Sequence, residues 1–292
     1  MKILVMGGTR YFGKRLVQLL IEKGHQVTVA NRGTTPDTFG AQVERKIVER
    51  ADPVSVGAVA KARDWDAVVD QICYSPDEAK IACDAFEGRT QRYVHTSTAS
   101  VYEVGGERFE KDFDPFNYEP RLGSRADFPY GEAKRLAETY YFQKAKFPVV
   151  AMRIPIVLGA DDYTGRLEFH LQRVSEGRPM VIPNLNSETS FIDSGEAARF
   201  LLWLVEGSGV GPINACSNGR LSIGEILKVI ERRLNKSAVV CGKGLKEDAT
   251  PFVDEESKYL NHERAKGMGF KFEPLATWFP QLVDWLALKG KY

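Results

Sequence analysis

The sequence predicts an α/β fold built around a parallel sheet, on three observations. Short β-branched and apolar runs alternate with segments of helical periodicity, the pattern of parallel strands joined by right-handed crossovers. The first run, residues 2–6, opens directly into a glycine-rich turn, Gly7-Gly8-Thr9-Arg10-Tyr11-Phe12-Gly13, and then into a helix. Of the 292 residues, 43% are hydrophobic and 27% charged, enough apolar side chains to fill a core and ordinary for a globular chain. With 40 basic and 39 acidic residues the net charge is +1, so bulk charge offers no attraction to nucleic acid or to a membrane surface. No apolar run reaches the roughly 18 residues that span a bilayer. The opening MKILVMGG is too short for the apolar region of a signal peptide, so the expected setting is cytoplasmic.

Taken in order, residues 2–6 (KILVM) read as a strand buried on both faces. Phe12, Leu16, Val17, Leu19 and Leu20 recur at helical spacing, and Gly24 closes that helix. Strands follow at 26–30, 43–48, 67–73 and 92–97, each separated by a segment able to form a helix. From 103 to 128 the pattern dissolves into a charged stretch rich in Phe, Pro and Gly, too long for a plain connection and read as a functional loop. A helix is predicted over 131–146 and a strand over 149–157. Beyond Gly159 the elements shorten, with helices at 167–176, 194–205, 222–234 and 281–288 and strands at 180–182 and 212–215. The architecture expected is a Rossmann-type doubly wound parallel sheet over 1–157, with parts of 189–215. A smaller interleaved C-terminal α/β substrate lobe takes 158–188 and 216–292. Cys73, Cys83, Cys216 and Cys241 form no Cys-x-x-Cys pair and do not cluster in sequence with the four histidines. Reduced, buried thiols are therefore expected, with neither disulfides nor a metal site.

The glycine turn is placed to hold a dinucleotide. Gly7 and its neighbours let the backbone approach a pyrophosphate resting on the positive end of the helix dipole, and Gly13 permits helix and strand to pack closely. Thr9, Arg10, Tyr11 and Phe12 complete the cradle. The end of the second strand bears on which dinucleotide is held. An acidic residue there bonds the ribose 2′-hydroxyl of NAD, whereas arginine suits the 2′-phosphate of NADP. Here the chain reads Ala30-Asn31-Arg32-Gly33, with Arg10 able to reach the same region. Two guanidiniums make charge-assisted contacts with a dianionic phosphate, so NADP is favoured over NAD, with Asn31 and Arg32 among its contacts. The plainer alternative makes both arginines solvated surface residues.

Tyr130-Gly131-Glu132-Ala133-Lys134 sets a phenol and an ammonium at i and i+4, neighbours on one helix face. A cation so placed favours the phenolate, which suits proton transfer to and from a substrate oxygen. The spacing recurs at Tyr140 and Lys144, but Tyr140 lies deep in the helix beside Tyr141 and Phe142, as packing or as a bundle surface. Tyr130 instead emerges from the long loop, where a substrate can reach it. Upstream, Tyr93-Val94-His95-Thr96-Ser97-Thr98-Ala99-Ser100 ends a buried strand in hydroxyls at the carboxyl edge of the sheet, where ligands bind. Thr98 is assigned to the substrate oxygen beside the Tyr130 phenol, and Ser100 to capping the turn. His95 reads as a satisfied core residue rather than a base.

In order along the chain, the turn at 7–13, Thr96-Ser97-Thr98-Ala99-Ser100-Val101-Tyr102 and Tyr130-x-x-x-Lys134 resemble the extended short-chain dehydrogenase/reductase superfamily, also called the NAD-dependent epimerase/dehydratase family. Arg153-Ile154-Pro155-Ile156-Val157-Leu158-Gly159 is similar to the family's strand leading to the substrate lobe. Phe191-Ile192-Asp193-Ser194-Gly195-Glu196-Ala197-Ala198 is similar to its strand-to-helix junction, so the resemblance covers nearly the whole chain. It implies that Thr98 supplies the hydroxyl, Tyr130 the acid/base group, and Lys134 both a charge beside the phenol and a contact to the nicotinamide ribose. Ile72, Ile154 and Pro155 would lie against the cofactor. The activity implied is an oxidoreductase or epimerase moving hydride between nicotinamide and a secondary alcohol carbon of a nucleotide-sugar-like substrate. For its diphosphate, Arg166, Arg173, Arg178 and Arg220 are the candidates. Family members commonly pair through helices, so a homodimer is allowed.

Three departures qualify the resemblance. Arg10 stands where the family usually has Gly, and Ala30 or Asn31 where Asp often ends the second strand. These two resemble an atypical branch that includes chloroplast stem-loop RNA-binding proteins, so the alternative is an RNA-binding or regulatory protein on a dehydrogenase scaffold. RNA binding would call for a contiguous basic face, whereas cations here interleave with acids, as in Glu44-Arg45-Lys46 and Glu231-Arg232-Arg233, so nucleic acid is not the expected partner. Finally, family dehydratases carry Asp-Glu after the hydroxyl position. Ala99 and Ser100 stand there, which disfavours dehydration.

Overall fold

The computed structural model describes residues 1–252 and 255–290. Its elements run β1 (Lys2–Met6), α1 (Tyr11–Glu22), β2 (Gln26–Asn31), β3 (Val43–Ile47), α2 (Pro53–Ala60), β4 (Ala67–Asp70), α3 (Pro76–Phe86), β5 (Tyr93–Thr98), β6 (Gly106–Arg108), α4 (Tyr130–Lys144), β7 (Val149–Ile154) and β8 (Ile156–Leu158). There follow α5 (Arg166–Glu176), β9 (Pro179–Val181), β10 (Glu188–Thr189), β11 (Phe191–Asp193), α6 (Ser194–Glu206), β12 (Gly211–Asn214), β13 (Leu221–Ser222), α7 (Ile223–Leu234), β14 (Val239–Cys241), β15 (Lys258–Leu260), α8 (Glu263–Gly267) and α9 (Leu275–Gly290).

Two compact units share the chain, one of residues 1–102, 110–154 and 197–215, the other of 103–109, 155–196 and 216–292. The first is built on a seven-stranded sheet in the order β12-β7-β5-β4-β1-β2-β3, every pairing parallel. This is the doubly wound α/β architecture that the alternating runs predict. Strand order reverses between β1 and β4, and ligands in such sheets bind beyond the carboxyl ends at the reversal. Met6 pairs with both Ala30 and Asp70, which brings the glycine turn, the end of β2 and the end of β4 to one edge. One face of the sheet buries Leu4, Met6, Val68 and Tyr93 against Val56, Phe86, Ala137 and Tyr141 of α2, α3 and α4. Tyr141 is therefore core, and Tyr140 and Phe142 pack against it.

The second unit carries a four-stranded sheet, β13-β10-β15-β6, and two strand pairs, β11-β8 and β14-β9. Its core gathers Leu171, Val174, Phe191, Ile226, Ile230, Phe279 and Val283. The strand expected over 149–157 is broken at Pro155, which has no N–H to continue a ladder; β7 pairs with β5 and β12, and β8 with β11. The strand expected over 67–73 stops at Asp70, whose carboxylate accepts from the Ile72 N–H at 3.1 Å and turns the chain out. All four cysteines are free thiols, three of them buried. Among the described residues no helix is long and apolar enough to cross a membrane.

Candidate active site

At the end of β1 the backbone turns through Gly7 (φ +98°) and Gly8 (φ +85°), and the Gly7 N–H donates to Ala30 O at 3.0 Å. A Cβ at Gly8 would stand 2.9 Å from Val5 Cγ1, which with its positive φ reserves that turn for glycine, and one at Gly13 would stand 2.6 Å from Gln71 Oε1, the end of a flexible side chain. Ile72 borders it, with Cγ2 3.3 Å from where a Gly7 Cβ would lie. Tyr11, the first residue of α1, takes a left-handed φ of +54°, a strained conformation for a bulky side chain. Arg10 precedes it with an extended backbone and an exposed side chain, and Thr9 and Phe12 are half-buried. No side chain caps α1 and no acidic residue stands in its first turn, so its amide end keeps its positive potential. Gln71, which the sequence reading missed, presents a buried Nε2 that has no hydrogen-bond partner. A glycine cradle, an uncapped helix and an orphaned amide donor fit the diphosphate of a dinucleotide.

From the start of β2 to residue 42 the one carboxylate is Asp37, and it is committed. Asn31 Oδ1 accepts from the Gly33 N–H at 2.7 Å, closing a local turn, and Arg32 is exposed. Asp37 accepts from Arg45 Nε and Nη2 at 2.9 and 2.6 Å and from the Phe39 N–H at 3.0 Å. The Arg45 hydrogen bonds hold that carboxyl below its ordinary range.

On the other side of β4, the first turn of α4 sits on the short 3₁₀ turn Ala99–Val101. A Cβ at Gly131 would stand 2.5 Å from the Ser100 carbonyl oxygen, so glycine is what lets the two elements meet. Thr98 lies at the end of β5, its Oγ accepting from the Ser100 N–H at 3.1 Å. The capping hydroxyl is thus Thr98, not Ser100 as the sequence suggests; its own hydrogen remains available to donate. Ile154 pairs with Thr98 across the sheet and is buried, and Pro155 follows it in the chain. Tyr130 is 48% exposed, while Lys134, one turn on, is 2% exposed.

Lys134 Nζ donates to Cys73 O at 2.8 Å and Thr96 O at 2.7 Å and meets His95 Nε2 at 3.3 Å. An ammonium can only donate, so Nε2 accepts and the imidazole proton sits on Nδ1. That Nδ1 has no partner, so His95 is buried but incompletely satisfied. Burial, then the charges of Lys134 and Arg50, push His95 well below its ordinary value and keep it neutral. Its ring lies 5.0 Å from Tyr141, whose hydroxyl joins Arg50 and Tyr93 around Asp70.

In the second unit, Arg173 is buried and paired with Asp248 at 2.5 Å, Arg178 with Glu176 at 3.4 Å, and Arg220 with Glu188 at 2.8 Å. Three of the four arginines suggested for a diphosphate therefore already face carboxylates; Arg166 opens α5.

The model of the NAD dependent epimerase/dehydratase family matches residues 3–216. The chain belongs to that family. This family member is 28% identical over 203 residues to the chloroplast stem-loop binding protein of 41 kDa b of Arabidopsis thaliana, a match covering 65% of the chain and 50% of that protein. The chain thus spans about half the length of that relative. It is 29% identical over 240 residues to a 2-alkyl-3-oxoalkanoate reductase of Stenotrophomonas maltophilia, covering 74% of the chain and 68% of the reductase. Its fold is shared with the UDP-glucose 4-epimerase of Thermotoga maritima, solved with UDP-glucose, at a TM-score of 0.76 and 16% identity over 100% of this chain and 99% of that one. The Thermus thermophilus UDP-glucose 4-epimerase, solved with NAD, gives 0.71 at 19% identity over 97% of each chain.

Proposed function

We propose that this family member is an NADP-preferring oxidoreductase or epimerase acting on a secondary alcohol, or its ketone, in a nucleotide-sugar-like substrate. The observation that carries the reading is the seating of α4. Gly131 seats the helix against the turn that follows Thr98, so half-exposed Tyr130, the residue before it, opens α4 there, with buried Lys134 one turn on. When bound, the nicotinamide supplies or accepts the hydride. Tyr130 Oη passes a proton to and from the substrate oxygen, and Thr98 donates its remaining hydrogen to the same oxygen. Lys134 holds a fixed positive charge under the phenol. A contact from Lys134 to the ribose requires one of its present acceptors to give way, and His95, at 3.3 Å, is the longest.

NADP is favoured because Asp37 is committed to Arg45 while Arg10 and Arg32 are exposed at the edge that meets the adenosine ribose. Dehydration is disfavoured because Ala99 and Ser100 offer no acid beside Thr98. The buried free thiols suit a cytoplasmic setting. The test is Tyr130→Phe, assayed for NADPH-dependent reduction across a panel of oxo substrates. The variant should lose about 10²–10⁴-fold in kcat, while thermal stabilisation by NADP is kept. Activity surviving the change would remove Tyr130 from the mechanism.

A further inference from the structure

Tyr74 carries two cations on one ring. The Arg125 guanidinium carbon lies 4.6 Å from the ring centroid and Lys134 Nζ 5.6 Å from the same centroid. Tyr74 directly follows Cys73, whose carbonyl accepts from Lys134, so the ring stands beside the Tyr130–Lys134 helix at the carboxyl edge of the sheet. Arg125 arrives on the segment that leads into Tyr130, and that segment is tied down. The Gly123 N–H donates to Asp77 Oδ1 at 2.9 Å, and Ser124 N–H and Oγ donate to Asp127 Oδ2 at 2.7 and 2.8 Å. Tyr118 Oη donates to Glu132 Oε2 at 2.9 Å.

The nearby acids are thus occupied. Glu132 takes Tyr118 and Arg121, Asp77 takes Gly123, Asp127 takes Ser124, and Glu78 takes the Tyr74 N–H. Arg121, the other arginine of the segment, faces Glu132 and the Phe128 ring. Arg125 differs: among the described residues its nitrogens meet no carboxylate and no carbonyl, and stacking alone fixes it. A guanidinium presents five donors in a planar fork that matches an oxyanion, and a ring under it lowers the entropy lost when one binds.

We propose that Arg125, held on Tyr74, is a specificity-determining residue that binds an oxyanion, carboxylate or phosphate, carried by the substrate close to the carbon served by Tyr130. This deepens the proposed function and rests on Tyr130 being its acid/base group. The direct test follows the arginine Nε–H resonances of the full chain by NMR, with Arg125 identified by its loss in Arg125→Lys. Acetoacetate, inorganic phosphate and acetone are the probes. A saturable movement of the Arg125 signal with an anion, and none with acetone, is expected. The anion acting at the lower concentration distinguishes carboxylate from phosphate. A signal unmoved by either anion overturns the proposal. Tyr74→Leu should weaken that binding at least fivefold, and unchanged binding removes the ring from the account.

In turnover with NADPH, the preference for a 3-oxo acid over its methyl ester should fall at least tenfold in Arg125→Leu, through KM. A preference equal to that of the unaltered protein overturns the proposal. If the unaltered protein reduces neither compound, the loss falls on the proposed activity, and the NMR titration still decides Arg125.

Discussion

An ammonium has three N–H bonds, and Lys134 directs all of them at the protein. A charge this deeply buried needs that full set, because each unmet donor would cost a large part of its desolvation energy. The i, i+4 spacing of Tyr130 and Lys134 is visible in the sequence. The acceptors are not, since two are backbone carbonyls that any residue could supply, and the third, His95, reads as strand interior. Gln71 escaped for the same reason: its significance lies in its nearness to Gly13, 58 positions away in the chain. At the end of β2 the sequence was more direct. Asp37 is the sole carboxylate between 26 and 42 and is bound twice by Arg45, which is why the proposed NADP preference is laid on Arg32. Arg32→Ala should weaken NADP by about 1–2 kcal/mol relative to NAD. Thermal stabilisation by each cofactor at matched concentrations reads that difference directly. An unchanged NADP-to-NAD ratio would take Arg32 out of the phosphate contact.

Among the elements, α4 matters most, because its first turn delivers Tyr130. Two glycines show how differently close packing can be held. At Gly13 the obstructing atom is the end of the flexible Gln71 side chain, which can swing away. At Gly131 it is the backbone carbonyl of Ser100, fixed by the turn that Thr98 caps. Gly131→Ala should therefore push α4 off its seat, destabilise by about 1–3 kcal/mol, and, on the role proposed for Tyr130, lower kcat. Urea unfolding and steady-state kinetics on one preparation check both effects, and a variant with normal stability and kcat would refute the seating argument. The buried strands and the helices flanking them were legible from periodicity because β1, β4 and β5 are buried along almost their whole length. The 103–128 stretch was not. It contains β6, whose partner β15 is about 150 residues away in sequence, and a segment held by side-chain bonds such as Gln143 Nε2 to the Pro115 and Tyr118 carbonyls. Neither arrangement has a local period.

Across the whole molecule, each unit encloses a neutral histidine. His95 sits in the first, pushed down by burial and then by Lys134 and Arg50. His170 sits in the second, where Nδ1–H donates to Arg166 O at 2.9 Å, Nε2 meets Thr250 Oγ at 2.8 Å, and the ring stacks on Phe252 at 4.6 Å. Burial pushes His170 down to about 4, against an ordinary value of 6.5. An unfolded chain takes up these protons near pH 6.5 and the native one does not, so stability is full above that pH and falls as the medium is acidified. For His170 the loss accumulates from pH 6.5 to about 4 and amounts to about 3 kcal/mol. Asp70 acts later. Although burial raises its carboxyl, Arg50, the Tyr93 hydroxyl and the Ile72 N–H outweigh that and hold it low, so its contribution is full above the ordinary carboxylate range and is lost as the pH falls below the ordinary value. Stability measured by urea unfolding should thus begin to fall near pH 6.5, well before the carboxylates titrate. His170→Gln keeps a donor and an acceptor but has no proton to gain, so it should make the profile between pH 6.5 and 4 shallower, leaving the share that belongs to His95. A slope identical to that of the unaltered chain would mean that His170 is already protonated, or open to water, in the folded state.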